Sequence, residues 1–287
     1  MRFLVLVASA LVLAGCGSAP KLLPEVATPE LETTASISPQ AAEIGPATPR
    51  AYSAMVVDLK TGAVLHEENA QAVRYPASLT KMMTLFLLFE DIKAGKISSN
   101  TAFKVSQNAA SKPPSKLGLK PGETIRARQA AQALAVKSAN DVATVVAENL
   151  SGTEQAFAIR MNRTARALGM TQTRFVNPSG LPDTRQVSTA RDMAILGRAL
   201  KLRHPRYSRF FSAREFRYGG RNYKATNKLL GKVRGVDGIK TGYIRLSGYN
   251  LVASAKRGRK QIIVVVIGGK SGRARNAQVT KLIERYL

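Results

Sequence analysis

The sequence predicts an α+β fold, with a central antiparallel sheet assembled from both ends of the chain, flanking helices, and a helical subdomain between them. Three observations carry this expectation. Short β-branched or apolar runs lie near Met55 and again from Tyr249 to Ile267, helix-like segments fill the stretch between them, and no internal repeat divides the 287 residues. A chain of this length with 45% hydrophobic residues can bury a full core.

The folded part is read from Ala51. Met55-Val56-Val57 and Ala63-Val64-Leu65 flank the turn-rich Asp58-Leu59-Lys60-Thr61-Gly62 and predict a β-hairpin. Leu79 to Lys93 is strongly apolar and predicts a buried helix, stopped by Ala94-Gly95-Lys96. Helices follow at Ala127–Val136 and Asp141–Asn149, on either side of Lys137-Ser138-Ala139-Asn140. Glu154–Leu168, with Gly169 as its stop, and Ala190–Leu202, with Ser188 or Thr189 as N-cap, are the next two. Tyr249–Ala255 and Gln261–Ile267 then read as strands joined by a charged turn, and a basic helix from Ala274 to Tyr286 closes the chain.

Ahead of that domain lie two segments of different character. Met1-Arg2 followed by the apolar Phe3–Leu13 is too short for a comfortable bilayer span and fits a secretory signal over residues 1–15. The stretch Leu13-Ala14-Gly15-Cys16 resembles a bacterial lipobox, which implies lipidation of Cys16 and a membrane anchor. Residues 16–50, rich in Pro, Thr, Ser, Ala and Glu, are expected to form a disordered tether. The expected location is thus an exported lipoprotein facing the periplasm. Cys16 is the single cysteine, which excludes an intramolecular disulfide and a cysteine-based metal site. A formal net charge of +26 points to an anionic partner or a solubilising surface. With basic residues scattered, aromatics at 6% and an export signal present, nucleic acid is not the expected partner.

Three short patterns carry candidate chemistry: Ser78-Leu79-Thr80-Lys81, Ser138-Ala139-Asn140 and Lys240-Thr241-Gly242. Each has decoys in the same chain. Ser18 and Lys21 repeat the first spacing, Ser98-Ser99-Asn100 and Ser106-Gln107-Asn108 repeat the second, and Lys60-Thr61-Gly62 repeats the third. Context separates them. Ser78 opens an apolar helix, so Lys81 lies one turn later on the same face. Lys60-Thr61-Gly62 sits at a hairpin tip, whereas Lys240-Thr241-Gly242 precedes a strand-like run and is expected on an edge strand. The two histidines, His66 and His204, lack a catalytic setting, which disfavours a Ser-His-Asp triad.

Taken in order, the three motifs resemble those of the serine-type D-Ala-D-Ala carboxypeptidases, the low-molecular-mass penicillin-binding proteins of peptidase family S11. Tyr75 to Thr84, Ser188 to Ala194 and Gly248 to Ala255 are similar to further blocks of that family. The resemblance implies a β-lactamase/transpeptidase-like fold over residues 51–287, no cofactor and no metal. It also implies D-Ala-D-Ala stem peptides of peptidoglycan as substrate and β-lactams as covalent inhibitors. The C-terminal β-domain and anchor helix of many relatives have no counterpart, and the N-terminal lipid would replace that anchor.

By the same resemblance, Ser78 is the nucleophile and Lys81 its base, made weakly basic by burial and by Lys240. Ser138 would relay a proton to the departing amine, and Asn140 would hold substrate and Lys81. Lys240 would supply positive potential and Thr241 would bind the terminal carboxylate. The amides of Ser78 and Tyr243 would form the oxyanion hole, and Gly242 would stay small because substrate approaches the strand. Arg275 reads either as a carboxylate-binding arginine or as a surface charge at a helix start. One departure is Ser179, which stands where many relatives carry histidine before Gly-Leu and puts that residue's role in doubt. No Glu-x-x-Leu-Asn pattern follows Ser138, so a class A β-lactamase is not expected. Endopeptidase action on cross-links, or wall binding without turnover, remains an alternative.

Overall fold

The structure, a computed structural model, describes residues 44–287. The export segment, Cys16 and residues 17–43 of the tether lie outside the described residues. Residues 44–50, read from composition as the end of the tether, are packed onto the domain. Ala47 is buried, the Thr48 amide donates to Val73 O at 3.3 Å, and the Arg50 amide donates to Leu246 O at 2.9 Å. Backbone groups do most of this anchoring, so composition carries little sign of it.

β1 (Ser53–Asp58) turns into β2 (Val64–Glu68) through a loop in which Asp58 accepts hydrogen bonds from the Thr61 amide and hydroxyl. The decoy Lys60-Thr61-Gly62 is thus a turn, as expected. A 3-10 turn, Ala77–Thr80, leads into α1 (Lys81–Lys93). The predicted helix therefore starts at Lys81, and Ser78 stands on the tighter turn ahead of it. Met82, Met83, Leu85, Phe86, Leu88 and Phe89 of α1 are all buried. A helix apolar on every side must be central, and α1 is.

The subdomain follows. β3 (Ala102–Lys104) pairs with β4 (Thr124–Arg126) on either side of α2 (Gln107–Ser111). Ser106, one of the decoy serines, caps α2 and donates to Glu148 at 2.6 Å, so it has a structural task. α3 (Ala127–Gln132) passes into a π-helical turn, Ala133–Lys137, which ends at Ser138. α4 (Asn140–Ser151), α5 (Glu154–Ala167) and α6 (Ala190–Arg203) come next, with Thr189 rather than Ser188 as the cap of α6. After α7 (Ser208–Ser212), a small hairpin joins β5 (Glu215–Tyr218) to β6 (Arg221–Lys224). β7 (Val236–Ile244), β8 (Gly248–Arg257), β9 (Lys260–Gly269) and α8 (Gly272–Tyr286) complete the chain.

The five-stranded sheet runs in the order β2-β1-β9-β8-β7, with every pair antiparallel. Both ends of the chain contribute to it, as the sequence predicts. Ile263, Val265 and Ile267 of β9 join the core around α1 and α6, while Ile262, Val264 and Val266 join the core under α8. Burial on both faces is why this strand reads as an unbroken apolar run. Each such side chain contributes about 1.5–3 kcal/mol when fully buried. β7 is left as an edge strand beside the Ser78 turn. Among the described residues, no helix is long and apolar enough to cross a membrane.

Candidate active site

Three residues lie against the turn carrying Ser78. Asn250 of β8 donates to Tyr75 O at 3.0 Å and Pro76 O at 3.2 Å, while its own oxygen accepts from the Gly268 amide at 3.0 Å. Gly242 of β7 lies close enough that an added Cβ would be 3.0 Å from Pro76 O and 3.2 Å from the Ser78 amide nitrogen. The protein's own backbone thus gives a reason for glycine there, in addition to the substrate approach expected from the sequence. On the other side Gly180, at φ +80°, packs so tightly that a Cβ would be 2.0 Å from Ala77 O. Ala77 itself has φ +50°, a strained value of the kind that collects at functional sites.

Lys81 is completely buried, with its amine 3.1 Å from Ser78 Oγ. The same nitrogen donates to Asn140 Oδ1 at 2.7 Å and to the Ser179 carbonyl. Asn140 Nδ2 donates to Pro113 O at 3.0 Å, which orients the amide so that its oxygen faces the lysine. Burial pushes the Lys81 pKa well below the usual lysine value, and repulsion from Lys240 lowers it further, against an opposing pull from Asp141. A neutral amine has two N–H bonds and one lone pair. In that form, hydrogen bonds to Asn140 Oδ1 and the Ser179 carbonyl would use both N–H bonds and leave the lone pair for the Ser78 hydroxyl.

Ser138 ends the π-helical turn in the left-handed conformation, φ +63°. Its hydroxyl is buried and has no protein partner. A left-handed non-glycine residue costs about 1–2 kcal/mol, so the fold holds this serine in place against strain.

Lys240, Thr241 and Gly242 lie on β7, the edge strand expected of them. Burial and the nearby Arg275 bring the Lys240 pKa down to about 7, and its amine donates to Thr241 O at 2.8 Å. Thr241 Oγ1 donates to Thr226 Oγ1 at 2.8 Å. Arg275 is buried, not a surface charge: Nη1 donates to Asn250 O at 2.8 Å, and burial lowers its pKa to about 10. Tyr243 is half-exposed and packs on Tyr249 at a centroid distance of 4.3 Å. Ser78, Ser138, Thr241, Gly242, Tyr243 and Arg275 all line one cavity of about 270 Å³. Asn140, Lys81 and Lys240 lie beneath its surface.

The histidines are elsewhere. His66 sits on β2, at the opposite edge of the sheet from β7, against Tyr286. His204 is buried with Nε2 2.8 Å from Glu90 Oε1, at the far end of α1 from Lys81. Among the described residues no cluster of three His, Cys, Asp or Glu side chains could hold a metal ion.

A nucleophile, a buried lysine and an edge strand with cations behind it are the parts of a serine acyltransferase. Residues 39–271 match the D-alanyl-D-alanine carboxypeptidase family, peptidase family S11. The chain belongs to this family. The D-alanyl-D-alanine carboxypeptidase DacF of Bacillus subtilis is 38% identical over 239 residues, 82% of this chain and 61% of the relative. Penicillin binding protein 5 from Haemophilus influenzae superposes with a TM-score of 0.79 at 32% identity, covering 85% of this chain and 72% of that one. Penicillin-binding protein D2 from Listeria monocytogenes, in its cefotaxime-bound form, gives a TM-score of 0.75 at 32% identity, covering 84% and 98%. This chain spans about three-fifths of the length of the curated relatives it matches. The penicillin-binding-protein fold implied by the motifs is the one observed.

Several parts of the carboxypeptidase-family site escape a reading by motif. The Ser179 carbonyl receives Lys81, while the Ser179 hydroxyl turns away to Asn177 Oδ1 at 3.0 Å. The loop therefore serves the lysine through its backbone, a contact that residue type does not encode. Thr84 adds to this by donating to Pro178 O at 2.7 Å. Thr226 gives no signal either, because it lies in an irregular segment. Asp141 carries a readable clue, its place directly after Asn140, and accepts from the amides of Leu117, Gly118, Leu119 and Val142.

Proposed function

We propose that this chain is a serine-type D-alanyl-D-alanine carboxypeptidase that removes the terminal D-alanine of peptidoglycan stem peptides through an acyl-enzyme on Ser78. The observation that carries the reading is the Lys81 amine, buried, depressed in pKa, 3.1 Å from the Ser78 hydroxyl and held by Asn140 Oδ1 and the Ser179 carbonyl. In acylation, Ser78 Oγ attacks the carbonyl carbon of the penultimate D-alanine as its proton passes to Lys81. The oxyanion forms against the amides of Ser78 and Tyr243, where one donor contributes about 2.7–4 kcal/mol to the transition state. The C–N bond then breaks, and Ser138 passes a proton from Lys81 to the departing amine. Water repeats the sequence on the acyl-enzyme and regenerates Ser78. Lys240, Thr241 and Arg275 hold the terminal carboxylate, with Asn140 fixing Lys81 and substrate.

β-Lactams, which present a strained amide and a carboxylate, fit the same arrangement, as the cefotaxime-bound Listeria relative suggests. No acidic side chain lines the cavity among the described residues, so none is placed to activate water against a penicilloyl ester. Slow release of penicillin is expected. The chain is also expected to be exported and anchored through a lipid on Cys16; Cys16→Ser should free it from membranes. Muropeptide mass spectra after incubation test the activity. Loss of one D-alanine supports the carboxypeptidase, cleaved dimers indicate an endopeptidase instead, and unchanged muropeptides indicate a wall-binding protein.

A further inference from the structure

The proposed reaction leaves one cation in the cavity without a task. The departing D-alanine carries a single carboxylate, and Lys240, Thr241 and Arg275 are assigned to it. Lys137 also lines the cavity, beside Ser138. It comes from a different element, the last residue of the π-helical turn Ala133–Lys137. Turns of this kind are uncommon and often mark functional positions.

Both flanks of Lys137 are fixed. Ser115 Oγ donates to the Lys137 carbonyl at 3.1 Å, and the Thr226 amide donates to Val136 O at 3.2 Å. The amine lies 5.7 Å from the centroid of the Tyr223 ring, itself stacked on Phe216. No carboxylate pairs with it among the described residues. The next acid along the chain, Asp141, is taken up by backbone amides and unavailable. With no acidic lining residue, the cavity presents an uncompensated positive charge beside the reacting serine.

We propose that Lys137 selects the acyl-donor half of the substrate by pairing with a free carboxylate on the side chain of the residue before D-Ala-D-Ala. This inference rests on the carboxypeptidase reading and adds the chemistry of the third stem residue, a diamino diacid with its distal carboxylate free. The leaving group has no second anion to offer, so a second cation can serve only the part of the substrate that stays on Ser78. Tyr223 backs the amine without pairing with it, and the partly exposed setting leaves the amine within reach of a ligand.

Two N-acetylated tripeptides ending in D-Ala-D-Ala test this. Both begin with the same diamino diacid, its distal carboxylate free in one and amidated in the other, so they differ by one charge. The readout is the ratio of kcat/KM for D-alanine release, in which any general loss of activity cancels. The wild-type chain should favour the free acid by about tenfold, the worth of one charge-assisted contact. Lys137→Gln should bring the ratio near one, and Lys137→Glu should favour the amide. A wild-type ratio near one, or a preference that survives Lys137→Gln, overturns the role of Lys137 and leaves the carboxypeptidase reading standing. No release from either peptide overturns the carboxypeptidase reading, and this inference with it.

Discussion

Replacing Gly180 by alanine separates the placement of the nucleophile from the stability of the fold. At φ +80° an alanine incurs about 1–2 kcal/mol of left-handed strain. Its Cβ would also lie 2.0 Å from the Ala77 carbonyl oxygen, 2.4 Å from the carbonyl carbon and 2.9 Å from the Ser78 amide nitrogen. These are backbone atoms and cannot rotate aside. One chain must move by about 1 Å to restore the 3.0 Å that real Cβ atoms keep. The moving parts are the Ser78 turn on one side and the loop presenting the Ser179 carbonyl to Lys81 on the other. A misplacement of about 1 Å costs on the order of 100-fold in rate. Gly169 is the control, since its φ is +84° with nothing within 4 Å of an added Cβ, so alanine there meets strain alone. The assay is the second-order rate constant for covalent labelling by a fluorescent penicillin, read beside thermal melts. Both variants should melt a few degrees lower, at about 2–4 °C per kcal/mol. Gly180→Ala should label about 100-fold more slowly while Gly169→Ala labels at the wild-type rate. Wild-type labelling by Gly180→Ala, or equal slowing of both, would refute the reasoning.

Two further outcomes follow from charges elsewhere in the site and the core. Lys240, with a pKa near 7, is charged on the acid side of neutrality and there repels a proton from Lys81. Lys240→Gln removes that repulsion and leaves burial, so the Lys81 pKa rises and the acid limb of the labelling rate against pH moves to higher pH; an unmoved or acid-shifted limb would contradict this. Asp91, buried at the end of α1, takes Arg160 through two hydrogen bonds, one of them 2.7 Å. Asp91→Ala strands that partly buried guanidinium and should cost about 2–3 kcal/mol in urea denaturation, with penicillin labelling retained.

The large elements and the three motifs were legible because each has a strong local pattern. α1 and β8 announced themselves by apolar runs and β9 by a β-branched one, and burial on both faces explains those runs. What was hidden is short or carried by backbone. The β3–β4 and β5–β6 pairs are three- and four-residue strands with mostly exposed side chains, too brief for alternation to register. The change from α to 3-10 geometry at Ser78, and from α to π before Ser138, occurs in segments that are largely buried, so no shift in polarity marks it. Arg275 could be read either way because a charge at a helix start is usually solvated; only the three-dimensional packing shows Asn250 O accepting from it. Gly242 was singled out for its small size, but its closeness to the Ser78 turn was hidden, since sequence cannot say which backbone passes beside a strand.

Peptide-mapped mass spectrometry of penicillin-treated protein asks most directly whether Ser78, with Lys81 beneath it, is the reacting group. The wild-type chain should carry one penicilloyl adduct, on the peptide containing Ser78, and Ser78→Ala should remain folded and carry none. An adduct on any other residue, or one that persists in Ser78→Ala, would contradict the assignment.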